Sequence, residues 1–125
     1  GKSSLEEAIV WSNIQLFLLQ KYLKNSSRLI LTFGTAFGFS REGKIVGNCH
    51  KVSKDHFTKE MTSADDLLGE SISIIDQLSK YNPNLKIHIT VSPVRHIKEG
   101  LRENNLSKGM LLLLTKKIEF WLDFR

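Results

Sequence analysis

The residues best suited to chemistry gather at three places along the chain. Thr32-Phe33-Gly34-Thr35 closes an apolar run that begins at Arg28. Asn48-Cys49-His50-Lys51 follows a short β-like stretch, and Ser92-Pro93-Val94-Arg95-His96 closes a second apolar run that begins at Leu85. Open α/β sheets place their ligand sites just beyond the ends of strands, so each ending reads as part of a site rim. A strand-end glycine such as Gly34 lets a substrate approach the backbone and offers its N–H to a developing negative charge, although it also serves as a plain strand exit. Asn48 and His50 share one side of an extended segment. An asparagine amide donates to an oxyanion without needing to ionise, and His50 could orient it or touch substrate. Pro93 fixes the turn that presents Arg95 and His96. Gly34, Asn48, His50 and His96 are therefore the catalytic candidates, and Thr35, Ser92 and Arg95 the substrate-binding ones.

Competing chemistries fit less well. Cys49 and His50 are adjacent in an extended segment and point to opposite sides, so they are poorly placed to act as a thiolate pair; Cys49 reads better as a small buried residue. Cys49, His50, His56, His88 and His96 match no compact ligand spacing, and neither a metal nor any other cofactor is expected. Gly69-Glu70-Ser71 imitates a hydrolase nucleophile turn but falls in the middle of a helical pattern. A serine hydrolase needs a nucleophile on a tight turn, a histidine base and a carboxylate to orient it. No Asp-x-x-His occurs in the chain, and no serine stands on a strand-to-helix elbow. Gly100, Glu103, Asn104, Ser107 and Lys108 form an unusually polar stretch, read either as helix capping or as a buried salt-bridged network supporting the rim.

The elements that must position these residues follow from periodicity. Ser4-x-x-Glu7 resembles a capping box, and Leu5, Ala8, Ile9, Leu16, Leu19, Tyr22 and Leu23 recur at helical spacing, which predicts an amphipathic helix over Leu5–Lys24. Asn25-Ser26-Ser27 ends it, and the first strand follows. Ala36–Ser40 and Lys44–Gly47 flank Arg41-Glu42-Gly43, a hairpin turn. The polar stretch Lys51–Met61 reads as irregular. Ser63-x-x-Asp66 caps a second helix whose face carries Leu67, Leu68, Ser71, Ile72, Ile75 and Leu78, and Asn82-Pro83-Asn84 stops it. Leu85, Ile87, Ile89 and Val91 alternate with polar residues, giving a strand that lies at a sheet edge or leaves a partner's place unfilled. Leu106–Leu122 reads as a third helix with Met110, Leu111, Leu114, Ile118 and Trp121 on its apolar side. Helices interleaved with strands indicate an α/β architecture, yet the strands are few for three long helices, the mark of an incomplete sheet.

Composition narrows the classes. The chain has 125 residues, 41% of them hydrophobic, which suits one core. Its net charge of +5 is dispersed, while Glu60, Asp65, Asp66, Glu70 and Asp76 make an acidic middle. Nucleic-acid binding would concentrate the basic residues in a stripe, so none is expected. The longest uncharged run, Ala8–Gln20, is too short to span a bilayer. No secretory signal is readable; cytoplasmic placement is the expectation, with the compartment of any longer parent left open. An exposed sheet edge would be the route to a homodimer.

Three motifs in order, Thr32-Phe33-Gly34-Thr35, Asn48-Cys49-His50-Lys51 and Thr90-Val91-Ser92-Pro93-Val94-Arg95-His96, resemble the GSCFA family, and Glu103-Asn104-Asn105-x-Ser107-Lys108 is similar to its next motif. These are bacterial proteins related to the SGNH (GDSL-like) esterases and lipases. The resemblance spans roughly residues 30–110. It implies a flavodoxin-like three-layer α/β/α fold, here incomplete, so that residues 1–125 would be one α/β domain belonging to a larger GSCFA domain. It also implies a serine-esterase site acting on a small-molecule or glycan ester, O-acetylated glycan by superfamily analogy. Gly34 would be the oxyanion glycine and Asn48 the oxyanion asparagine. The family's nucleophile belongs to an N-terminal Gly-Ser-Cys-Phe-Ala segment and its Asp and His to a later Asp-x-x-His segment, and this chain has neither. The other reading is a non-catalytic module that binds glycan or protein and has kept only the rim.

Overall fold

The computed structural model describes residues 4–47, 53–95 and 97–124. Helix α1 spans Leu5–Asn25, strand β1 Arg28–Phe33, β2 Phe37–Arg41, β3 Lys44–Val46 and β4 Thr58–Met61. Helix α2 spans Ala64–Tyr81, strand β5 Lys86–Val91 and helix α3 Leu101–Asp123, with single 3-10 turns at Lys54–His56 and Ile97–Glu99. The architecture is mixed α/β and matches an incomplete α/β fold.

Strands β1 and β5 pair in parallel, with Leu29 opposite Ile87 and Phe33 opposite Val91. The connection between them carries α2, as a parallel crossover must. Alternation decides the faces. Leu29, Leu31, Phe33, Ile87, Ile89 and Val91 turn inward, while Arg28, Ile30, Thr32, Lys86, His88 and Thr90 are exposed. On the inner face Phe33, Ile87, Ile89 and Val91 pack against a core of Ala36, Ile75, Leu111, Leu114 and Ile118 supplied largely by α2 and α3. The outer face is open, with Ile30 67% exposed and the Thr32 and Thr90 hydroxyls hydrogen-bonded at 2.9 Å. Ser27 and Phe33 accept from the Lys86 and Ser92 N–H groups. Because a parallel strand alternates its hydrogen-bonding direction, Ile30 and Thr32 on one side and Ile87 and Ile89 on the other turn their backbone groups away from this pair. No further strand joins either edge among the described residues. Parallel sheets are ordinarily buried on both faces, so this pair has places for more strands and another layer.

The second sheet is an antiparallel meander in the order β3-β2-β4. Its hairpin turn is Glu42-Gly43, with φ of 52° and 75° between the paired Arg41 and Lys44. Both angles are positive, as a two-residue I′ turn demands, and the glycine fills the second position at no steric cost. The expectation of irregular structure over Lys51–Met61 is corrected here: Thr58–Met61 is a strand paired with β2. All four of its residues are exposed, so no apolar alternation announced it, and its pairing comes from β2 rather than from its own pattern.

Local signals set the helix ends. Ser63 Oγ accepts from the Asp66 N–H and donates to the Asp66 carboxylate, the cap expected from sequence. Asn82, only 6% exposed, ends α2 and at the same time closes α1. Its side-chain amide donates to the carbonyls of Leu23 and Ser26 at 2.8 Å each, groups that a helix end leaves unpaired. Helix α3 starts at Leu101, five residues before the expected Leu106, because Gly100 accepts from the Asn104 N–H and begins the first turn. Gly100 has φ 110° and ψ 160°, a conformation essentially reserved for glycine. Among the described residues no helix is long and apolar enough to cross a membrane.

Candidate functional site

Strands β1 and β5 run parallel, so their C-terminal ends lie together, and the residues just beyond them, Gly34-Thr35-Ala36 and Ser92-Pro93-Val94-Arg95, come to one end of the sheet. This is the edge where open α/β sheets bind ligands. A cleft of about 400 Å3 lies there, and it includes Thr35 and Arg95 together with Phe37, Phe39, Lys59 and Lys98. The meander contributes through its register: Phe39 pairs with Lys59 and Phe37 with Met61. The Lys59 ammonium sits 5.3 Å from the centroids of both Phe37 and Phe39, a cation over two aromatic faces.

Helix α3 fixes the backbone of this rim. Ser107, 2% exposed, accepts from the Ala36 N–H at 2.8 Å and shares a hydrogen bond with the Thr35 hydroxyl at 3.1 Å. The next residue, Lys108, places its ammonium 2.6 Å from the Gly34 carbonyl oxygen. Thr35 Oγ1 in turn accepts from the Phe37 N–H. The polar stretch before and within α3 therefore does support the rim, by hydrogen bonds from two consecutive residues and, among the described residues, not by ion pairs. The Glu103 carboxylate faces Arg102 instead, at 3.4 Å on the surface. Across a trans peptide the carbonyl and the next N–H point in opposite directions. Lys108, by holding the Gly34 carbonyl, thus turns the Thr35 N–H away from itself, and that N–H meets no acceptor among the described residues. A Cβ built on Gly34 would meet nothing within 4 Å, so the backbone at the strand exit is open to approach.

The sequence candidates divide cleanly. Gly34, Thr35, Ser92 and Arg95 stand together at the sheet end, where the Ser92 hydroxyl accepts from the Val94 N–H at 3.2 Å and shapes the proline turn. Asn48, His50 and His96 lie outside the described residues, as does Cys49. Of the remaining histidines, His88 is on the exposed face of β5 and His56 in the turn Lys54–His56, at separate places in the fold. Among the described residues no group of three or more His, Cys, Asp or Glu side chains could hold a metal ion. Ser71 lies within α2, as its helical spacing predicted. Sequence reasoning missed Phe37, Phe39 and Lys59. Their signal was weak, since Phe37-Gly38-Phe39 is an ordinary strand alternation and Lys59 sat in a stretch without a pattern.

Fold and rim together define an α/β protein with an incomplete parallel sheet and a cleft at the strand ends. The chain belongs to the GSCFA family, whose model matches residues 1–122 and so covers more of the chain than the motifs alone. Neither the curated proteins nor the solved structures gave a match to it.

Proposed function

We propose that this chain is the rim-bearing part of an SGNH-like serine esterase whose nucleophile and Asp-x-x-His segment come from outside this sequence. The observation that supports it is the Gly34-Thr35-Ala36 loop, stitched to α3 by Ser107 and Lys108 at the edge of the cleft. Oxyanion stabilisation needs backbone N–H groups that are fixed before the reaction starts, because their reorganisation would otherwise cost part of the gain. The loop supplies such a frame. In the proposed site, a serine adds to the ester carbonyl, and the Gly34 and Thr35 N–H groups with the Asn48 amide receive the oxyanion. The tetrahedral intermediate then collapses with loss of the alcohol, and water releases the acid from the acyl-enzyme. Ser92 and Arg95 hold the part of the substrate that does not react, and His50 and His96 are the further catalytic candidates that the family motifs offer.

The experiment is hydrolysis of p-nitrophenyl acetate by this chain and by a form extended at both ends in its natural gene, with a fluorophosphonate probe for an activated serine. Turnover and labelling confined to the extended form are expected, with Asn48→Ala there lowering kcat by about 100-fold to 1,000-fold, the usual loss for one oxyanion donor. Absence of both labelling and turnover in the extended form would instead favour the non-catalytic binding module.

A further inference from the structure

We infer that the Thr35 hydroxyl is a fixed hydrogen-bond donor into the cleft at the strand ends, and that in the ester reaction it joins the backbone N–H groups as a donor to the oxyanion. The first part stands on the hydrogen bonds of the loop, while the second rests on the proposed function. A hydroxyl carries one hydrogen and two lone pairs, so its donors and acceptors can be counted. Ser107 is 2% exposed, and its oxygen accepts from the Ala36 N–H at 2.8 Å. The Ser107 hydrogen therefore needs an acceptor inside the protein, and among the described residues its hydroxyl meets one, Thr35 Oγ1 at 3.1 Å. The reverse arrangement, with Thr35 donating, would leave the Ser107 hydrogen buried and unpaired, at the full cost of its desolvation. Ser107 is thus the donor and Thr35 the acceptor.

Thr35 Oγ1 also accepts from the Phe37 N–H at 3.2 Å. Both of its lone pairs are then occupied, and its own hydrogen is confined to the one tetrahedral direction that remains. Thr35 is exposed and lines the cleft, so that direction leads to solvent or a bound ligand rather than into the core. The same residue carries a second donor. The Lys108 ammonium lies 2.6 Å from the Gly34 carbonyl oxygen, and its charge polarises the Gly34–Thr35 peptide, which strengthens the Thr35 N–H. Thr35 thereby offers an N–H set by Lys108 and an O–H set by Ser107, both from α3. Donors fixed in advance need no rearrangement when charge develops on the substrate. As a serine adds to the ester carbonyl, the π electron pair moves to the carbonyl oxygen, and the Thr35 hydroxyl donates to it without giving up its proton.

Two measurements test this. In nuclear magnetic resonance of the isotope-labelled chain, the Ser107 hydroxyl proton should give its own slowly exchanging signal, with a nuclear Overhauser contact to the Thr35 side chain. The Thr35 hydroxyl proton should exchange with water too fast to be seen. A protected hydroxyl proton on Thr35, or none on Ser107, would overturn the inference. The second measurement is p-nitrophenyl acetate hydrolysis by the extended form. Thr35→Val keeps the shape of the side chain and removes the hydroxyl. It should lower kcat and kcat/KM alike, by about 10-fold to 100-fold, the loss for one hydrogen bond to a charged group. Thr35→Ser retains the hydroxyl and should keep most of the activity, and both variants should match the parent in far-ultraviolet circular dichroism. Full activity of Thr35→Val, or equal losses in the two variants, would overturn the oxyanion role. A protected Ser107 proton with neither turnover nor labelling in the extended form would remove the esterase reading and leave the Thr35 donor assigned. Turnover with an unprotected Ser107 proton would overturn the inference and leave the esterase reading standing.

Discussion

Helices α1 and α3 have nearly the same length, 21 and 23 residues, and opposite fates. In α3 the buried positions are Asn104, Ser107, Leu111, Leu114 and Ile118, one stripe at alternating spacings of three and four. Its polar end fastens the Gly34 loop and its apolar end forms the core. In α1 no residue is buried, although Leu5, Ile9, Val10, Trp11, Ile14, Leu16, Phe17, Leu18, Leu19 and Tyr22 all belong to it. At 100° per residue these side chains point to nearly every side, and only Glu6, Asn13, Gln20 and Lys24 share a polar strip. A helix that is apolar on nearly every side belongs largely in an interior. The hydrogen bonds that join it to the end of α2 lie at its C-terminal end. There Asn82 donates to Leu23 and Ser26, Tyr81 donates to the Gln20 carbonyl, and Lys24 donates to the Tyr81 carbonyl. The difference teaches that periodicity is enough to form a helix, whereas burial depends on what surrounds it. It accords with the open face and free edges of the β1–β5 pair.

Three substitutions sharpen or break this contrast. The largest effect belongs to Leu114→Ala in α3, where the side chain is fully buried. A loss of about 2–5 kcal/mol is expected, from transfer and cavity together, measurable by urea denaturation. A loss under about 1 kcal/mol would mean that the α2–α3 core is looser than its burial indicates. Next comes Asn82→Ala, the anchor of α1. It leaves two carbonyls and the Asn84 N–H without their partner and should cost about 1–3 kcal/mol, with faster amide exchange at the C-terminal end of α1 than in α3. Uniform destabilisation without that local signature would show that Asn82 serves the α2 terminus alone. Smallest is Phe17→Ser, on an α1 side chain that is 65% exposed. Thermal unfolding of the chain should move by no more than about 0.5 kcal/mol. A loss comparable to that of Leu114→Ala would reveal that α1 is packed against something in solution, and the contrast between the helices would fail.

Much of this molecule was legible in its sequence because the deciding signals are local. Ser63 and Asp66 cap α2 through groups three residues apart, Glu42-Gly43 turns the hairpin, and Pro83 follows the end of α2. The alternation of β5 disclosed its one covered face. The family was legible for a related reason: its motifs, Thr32–Thr35, Asn48–Lys51 and Thr90–His96, are each written within a few residues and stand in order along the chain. Strand β4 was hidden because Thr-Lys-Glu-Met has no pattern of its own and is a strand only beside β2.

The sequence by itself determined the three helices, the strands β1 and β5, the family and the placing of Gly34, Thr35, Ser92 and Arg95 at strand ends. These follow from capping, periodicity and turn chemistry, all written within a few residues. Only the tertiary structure decided that Ser107 and Lys108 reach back more than seventy residues to hold the 34–36 backbone. It alone brought Lys59, Arg95 and Lys98 into one cleft and left α1 without a covering layer. The physical reason is that such contacts join residues distant along the chain, and the crossover between β1 and β5, not spacing in sequence, sets which of them meet.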